Sequence, residues 1–390
     1  MNIYSKKNKI IRNETKHHLQ IKYACFFQKP HFIPGHPADI NSIPFINQIY
    51  CLLDIKKFTA VFLFCISLFC HFKFIDTAIA GDFKFNNNKT GINSNNYESK
   101  LDSQENILFE KFSNNFENYY KPEIKLRTGN VIIAVRSIKN GKIIFTNDYG
   151  SLSNKKIAPG SVLKIACAAF FLENQAFDET ADIFCGDSII LNGKYFNCSY
   201  KGGHGRVNFE HAFINSCNIY FQKMMKKFPR KSYLNFLTGM KFIDNSEKNK
   251  LAELTDEFYY QAVIGDHLIK ATPDILMNSI EFIALCGGLK QHNINLRLSH
   301  KTFQKLNSLL YSVTRSGTAS KVLSNYDIAG KTGSSLKYAI ISHNKKTTYT
   351  SGIFCGYMPY INPQYIIFAY CENGMGGNEA AELVKNVIFN

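Results

Sequence analysis

Tryptophan is absent from the 390 residues, although phenylalanine numbers 33 and tyrosine 21. With Asn, Lys and Ile abundant, that absence follows AT-rich codon usage, which weakens any functional reading of the basic balance of 46 Lys+Arg over 30 Asp+Glu. Long apolar runs are lacking too. The one targeting-like stretch, Phe58 to Cys70, holds 13 apolar or small residues, short of the about 20 that cross a bilayer. Beyond residue 80 no run of five or six like charges and no nucleic-acid motif occurs, which argues against a DNA or RNA partner. What is present, 45% hydrophobic and 19% charged residues, describes a globular chain able to bury a core.

Lys56 and Lys57 precede the apolar stretch, and Ala78-Ile79-Ala80 follows it. A basic flank, a short apolar core and a small-x-small site, in that order, predict a signal peptide over 56–80 that is either cleaved before Gly81 or kept as an anchor. Residues 1–55 stand oddly ahead of a signal and are read as an extension that need not be translated. The histidines at 17, 18, 31 and 36 lack paired ligand spacing and predict no metal site. Without residues 1–80 the chain keeps 36 basic and 26 acidic residues, +10 net. Residues 81–127 are rich in Asn, Ser, Lys and Glu and read as a polar linker with one short helix near Ile107–Phe116. From 128 to 390 a single domain is expected, opening on a hairpin in which Val131–Val135 and Lys142–Phe145 flank Asn140-Gly141.

Three short motifs carry chemistry. Ser161-x-x-Lys164 leads into Ile165–Leu172, a run apolar on every face and therefore a buried helix. Burial holds a lysine neutral, and a neutral amine one turn from a serine can take its proton. Ser-x-x-Lys also starts at Ser153, Ser334 and Ser342, so Ser161 is distinguished only by the Pro159-Gly160 entry and the helix behind it. Ser216-Cys217-Asn218 can turn a hydroxyl and an amide into one cleft, the first to relay a proton and the second to hold a carbonyl. Lys331-Thr332-Gly333-Ser334 begins as a phosphate loop would, but Asn325 stands where that loop requires glycine. The remaining reading is an edge strand whose ammonium and hydroxyls meet a carboxylate and whose glycine admits close backbone approach.

In this order and spacing the three motifs resemble the penicillin-binding serine acyl-transferases, the family of transpeptidases, D,D-carboxypeptidases and serine β-lactamases. Gly202-Gly203-His204-Gly205, Thr272-Pro273, Cys286-Gly287-Gly288, Ser316-Gly317-Thr318 and Glu372-Asn373-Gly374 sharpen the resemblance toward the transpeptidase branch over roughly 128–390. It implies an α/β (α+β) fold: a central antiparallel sheet flanked by helices, an all-helical lobe, and the active site between them. It further implies Ser161 as acylated nucleophile, Lys164 as base and Ser216 as proton relay. Asn218 would position the donor peptide, Lys331, Thr332, Gly333 and Ser334 would bind the substrate carboxylate, and the Ser161 and Ser334 N–H groups would form an oxyanion hole. The implied substrate is a peptidoglycan stem ending in D-Ala-D-Ala, the implied inhibitors are β-lactams, and no metal or cofactor is needed. An exported chain, periplasmic or membrane-associated and facing the cell wall, follows, with any glycan polymerase a separate partner. The chain departs from the family pattern at Gly265-Asp266-His267, where Gly-Gln-Gly is common, and at Phe354, on a strand where a Trp is common.

Seven cysteines remain after the signal region. Cys185 and Cys198 flank Asn192-Gly193 in an expected hairpin, and a disulfide between them is expected in an oxidising compartment. Cys167 and Cys217 read as packing residues. Three alternatives to a transpeptidase share the site. A class A β-lactamase needs a Glu-x-x-Leu-Asn motif that Glu253–Glu257 does not supply, a D,D-carboxypeptidase differs only in using water as acceptor, and a β-lactam sensor or scaffold would keep the fold without turnover.

Overall fold

The computed structural model describes residues 101–148, 154–266, 268–288, 294–342 and 345–390. The expectations for residues 1–100, signal segment included, and those on Ser153 and His267 lie outside them. No helix among the described residues is long and apolar enough to cross a membrane.

Nine strands are present among the described residues: β1 (Val131–Ser137), β2 (Ile143–Thr146), β3 (Ile183–Cys185), β4 (Ser188–Leu191), β5 (Lys194–Asn197), β6 (Gly205–Val207), β7 (Ala329–Ser342), β8 (Lys345–Met358) and β9 (Tyr365–Cys371). Five form one antiparallel sheet in the order β2-β1-β9-β8-β7. β1 is buried at every residue rather than at alternate ones, so both faces of the sheet are covered. The cover comes from helices Pro273–Ala284 and His300–Arg315 and from helix Ser103–Tyr119 with the helical C-terminal run that begins at Gly376. Arg136 of β1 fastens the sheet to the first of these through Asp274, 2.5 Å, and Glu281, 3.3 Å. The helix expected near Ile107–Phe116 runs over Ser103–Tyr119. It starts on a capping box between Asp102 and Glu105 that satisfies two otherwise unpaired N–H groups, and Phe109 and Phe112 pack edge-on to Phe145 of β2.

The β1–β2 connection is longer than the expected two-residue turn. Ser137 N–H bonds the Lys142 carbonyl and Gly141 N–H bonds the Ser137 carbonyl, both at 2.9 Å. Only Gly141 of the Asn140-Gly141 pair has positive φ, whereas a two-residue type I′ turn needs positive φ at both central residues. Asn192-Gly193 does meet that requirement, at φ 49° and 77°, and closes the β4–β5 hairpin.

The helical lobe gathers around Lys164–Leu172, buried from Lys164 through Phe171. Aromatic rings pack against one another there: Phe170 meets Tyr233 at 5.3 Å and Phe228 at 5.4 Å, and Phe171 stacks on Phe221 at 5.9 Å. Such pairs add about 0.5–1.5 kcal/mol each beyond area burial.

Candidate active site

Sheet and lobe meet at a cleft of about 890 Å³ lined by Ser161, Ser216, Asn218, Thr332 and Ser334. Pro159-Gly160 ends its approach in a 3-10 turn, Gly160–Leu163, which leaves Ser161 half-buried at the mouth. Helix Lys164–Leu172 then carries Lys164 to the floor. Gly160 has φ +54°, and a Cβ on it would lie 2.7 Å from the Ser334 carbonyl oxygen and 2.8 Å from the Ser334 nitrogen. A Cβ on Gly333 would lie 2.5 Å from the Pro159 carbonyl. Turn and strand thus touch backbone to backbone, which only glycine permits, and the Ser161 and Ser334 main chains come side by side. As expected, β7 is an edge strand.

Ser216 and Asn218 flank the start of helix Asn218–Met225, after helix Phe209–Ile214. Ser216 takes φ 59°, an uncommon conformation for a residue with a side chain and one that clusters at functional sites. Lys164 Nζ donates to the Ser216 carbonyl at 2.7 Å, to Asn218 Oδ1 at 2.6 Å and to Ser216 Oγ at 3.3 Å. Lys331 Nζ reaches the same Ser216 Oγ at 3.1 Å and the Thr332 carbonyl at 3.1 Å. Both lysines are fully buried. Burial lowers the Lys164 amine to about 8, and burial together with the Lys164 charge holds Lys331 well below the ordinary amine range. The rings of Phe221 and Phe213 lie 5.5 and 5.7 Å from the two ammonium nitrogens. Thr332 Oγ1 shares a hydrogen bond of 2.6 Å with Thr318 Oγ1, and Ser334 Oγ accepts the Gly376 N–H at 3.0 Å.

All eight expected motif residues therefore meet around one cleft, and Phe354 does not line it: it is buried on β8, paired opposite Thr332. The expected disulfide is corrected. Cys185 and Cys198 are free thiols, because they converge with His204 and Cys217 into a group whose ligand atoms all lie within 4.8 Å of one another. His204 Nδ1 is 3.3 Å from Cys198 Sγ and 3.5 Å from Cys185 Sγ. A tetrahedron with metal–sulfur bonds of about 2.3 Å and metal–nitrogen bonds of about 2.0–2.1 Å places its ligand atoms about 3.5–3.8 Å apart, so a Cys3His set of this size fits Zn²⁺. The Cys217 hydrogen bond holds the Cys198 thiol far below its ordinary value, while the same bond and burial push Cys217 up. Cys217 separates Ser216 from Asn218 in sequence, and its Sγ caps their helix by accepting the Tyr220 N–H at 3.4 Å, so this donor set adjoins the Ser216–Asn218 loop. The sequence reading missed it since ligands spaced Cys-x12-Cys-x5-His-x12-Cys match no paired metal pattern. His211, Asp266 and Lys321 also line the cleft, and none of the three motifs includes them.

Residues 124–389 match the family described as the penicillin binding protein transpeptidase domain, and the chain belongs to that family. Peptidoglycan D,D-transpeptidase MrdA of Acinetobacter baumannii is 25% identical over 233 residues, covering 48% of this chain and 35% of that protein. The chain thus spans about a third of the curated relative's length. Among solved structures, Pseudomonas aeruginosa PBP2 in complex with WCK 5153 superposes with a TM-score of 0.57 at 18% identity, over 72% of this chain and 73% of that one. The transpeptidase domain of Burkholderia pseudomallei penicillin-binding protein 3 gives 0.58 at 14% identity, over 74% and 93%. These likenesses establish the fold, an antiparallel sheet with helices, as expected from the sequence.

Proposed function

We propose that the protein is a serine D,D-transpeptidase of peptidoglycan synthesis, acylated on Ser161. The observation that carries this reading is the convergence of two buried lysines, one from the helix and one from the edge strand, on the single hydroxyl of Ser216. Ser161 Oγ attacks the carbonyl between the two terminal D-alanines of a stem peptide and passes its proton to neutral Lys164. The Ser161 and Ser334 N–H groups stabilise the oxyanion. Ser216 Oγ accepts from Lys164 Nζ, so it passes its own proton to the departing amine while Lys164 returns the Ser161 proton to it, leaving both groups in their starting states. Asn218 keeps its Nδ2 for the donor peptide while Oδ1 is held by Lys164. The hydroxyls of Thr332 and Ser334 receive the terminal carboxylate, with Lys331 buried behind them. A neighbouring stem amine then displaces Ser161 and forms the cross-link.

Zn²⁺ held by Cys185, Cys198, His204 and Cys217 would be a closed structural centre with no position for reacting water. The four residues themselves tie β3, β5 and β6 to the Ser216–Asn218 loop. Export to the wall-facing side of the envelope and a separate glycan polymerase complete the reading.

Fluorescent penicillin tests it. Wild-type protein is expected to label covalently and Ser161→Ala to lose the label, while a cross-linkable muropeptide should yield dimers by mass spectrometry. Undiminished labelling of Ser161→Ala would refute the assignment.

A further inference from the structure

The strand that receives the substrate carries two hydroxyls, and each is backed by a group from another segment of the chain. Ser334 Oγ accepts the Gly376 N–H at 3.0 Å, and Thr332 Oγ1 shares its 2.6 Å hydrogen bond with Thr318 Oγ1. Thr318 belongs to none of the three chemical motifs, yet it lines the same cleft. It sits where three segments meet. Its N–H donates to the Ile214 carbonyl at 3.1 Å, at the end of the helix that leads to Ser216. A Cβ on Gly317 would lie 2.4 Å from that same carbonyl oxygen, and a Cβ on Gly377 would lie 2.3 Å from the Thr318 carbonyl oxygen. Main chain therefore packs on main chain to either side of Thr318, which glycine alone allows. Backbone contacts hold the residue in place, and the bond to Thr332 holds its side chain.

We infer that Thr318 is a positioning residue for the terminal carboxylate of the stem peptide, acting through the Thr332 hydroxyl. The inference rests on the transpeptidase reading. Two hydroxyls hold two protons; one closes the bond between them and the other is left for the cleft. A carboxylate offers only lone pairs, so it selects the arrangement in which Thr318 donates to Thr332 and Thr332 donates to the substrate. The negative charge polarises that chain, and each bond strengthens the next. The Gly376 N–H occupies a Ser334 lone pair in the same way, which leaves the Ser334 proton for the substrate as well. A terminal amide answers such a donor pair with one oxygen and a donor of its own, and so fits it less well. Lys331 Nζ is engaged with Ser216 Oγ and the Thr332 carbonyl, so at the cleft surface these polarised hydroxyls carry the recognition of the carboxylate. The role is one of orientation, separate from the proton transfers of Ser161, Lys164 and Ser216.

The test uses full-length protein and synthetic stem peptides ending in D-Ala-D-Ala with either a free carboxylate or a terminal amide. Thr318→Val keeps the shape of the side chain and removes its hydroxyl. It is expected to raise KM for the carboxylate donor about tenfold, the loss of one charge-assisted hydrogen bond, with kcat changed by less than about twofold. KM for the amide donor should rise by less than about twofold, so the preference for the carboxylate falls about fivefold or more. Thr318→Ser restores the hydroxyl and should return KM to within about twofold of wild type. Thr318→Ala repeats the comparison without the methyl groups of valine, so that a packing fault in one variant does not decide the result. An unchanged KM in Thr318→Val and Thr318→Ala overturns the inference. So does a KM that rises equally for both donors, or a Thr318→Ser enzyme as impaired as Thr318→Val. Wild-type protein that neither labels with fluorescent penicillin nor turns over either donor signals instead that the transpeptidase reading has failed.

Discussion

Titrating Ser161 acylation against pH tests the site most directly. Lys164 can accept the serine proton only as a free amine, and its burial brings the amine to about 8. An ordinary lysine near 10.4 is only about 0.04% neutral at pH 7, whereas one at about 8 is roughly 9% neutral, a gain of about 200-fold, equivalent to about 3 kcal/mol. The second-order acylation rate with a β-lactam that does not titrate between pH 6 and 9 should climb about tenfold from pH 6 to 7. It should flatten above pH 8 and gain close to 100-fold overall. Stopped-flow quenching of intrinsic tyrosine fluorescence or a fluorescent penicillin reads it. The same group leaves a mark on stability. Its folded value lies below its unfolded one, so between about pH 8 and 10.4 the unfolded chain binds more protons and stability rises with pH. Relative to Lys164→Met, the wild-type melting temperature should therefore gain across that window. A flat acylation profile from pH 6 to 9, or a limb centred near 10, would show that Lys164 is not the base.

Two further outcomes follow from the geometry. Gly160→Ala should fold, but the Cβ would press on the Ser334 main chain and spread the oxyanion hole, lowering acylation about 10²- to 10³-fold; a rate within threefold of wild type would contradict the arrangement of that hole. Protein purified with zinc should carry one ion per chain by elemental analysis, lose it in Cys198→Ser, and melt about 8–16 °C lower after chelation, the shift expected for a site saturated a thousandfold. An unchanged melting temperature and no bound metal would rule the centre out.

That Ser161, both lysines and the Ser216 loop would come together was legible because each motif sets its residue types at fixed local spacing: Lys164 follows Ser161 by one turn, and Gly333 follows Lys331 on the strand. The edge position of β7 was legible for the same reason. The thiol cluster was not, since its four ligands come from β3, the end of β5, the approach to β6 and a helix cap, and nothing local to Cys185 announces His204. The Asn140-Gly141 turn misled because Ser137 and Lys142 pair across a wider loop.

An open edge of 14 residues would ordinarily invite a second sheet to dock and aggregate. Here the 3-10 turn at Gly160 closes over the middle of β7, with Pro159 against Gly333. The room that remains suits one slender extended chain end, since a folded segment cannot bring its backbone so near. Steric access to the strand thus favours a short free peptide end over the folded surface of another protein.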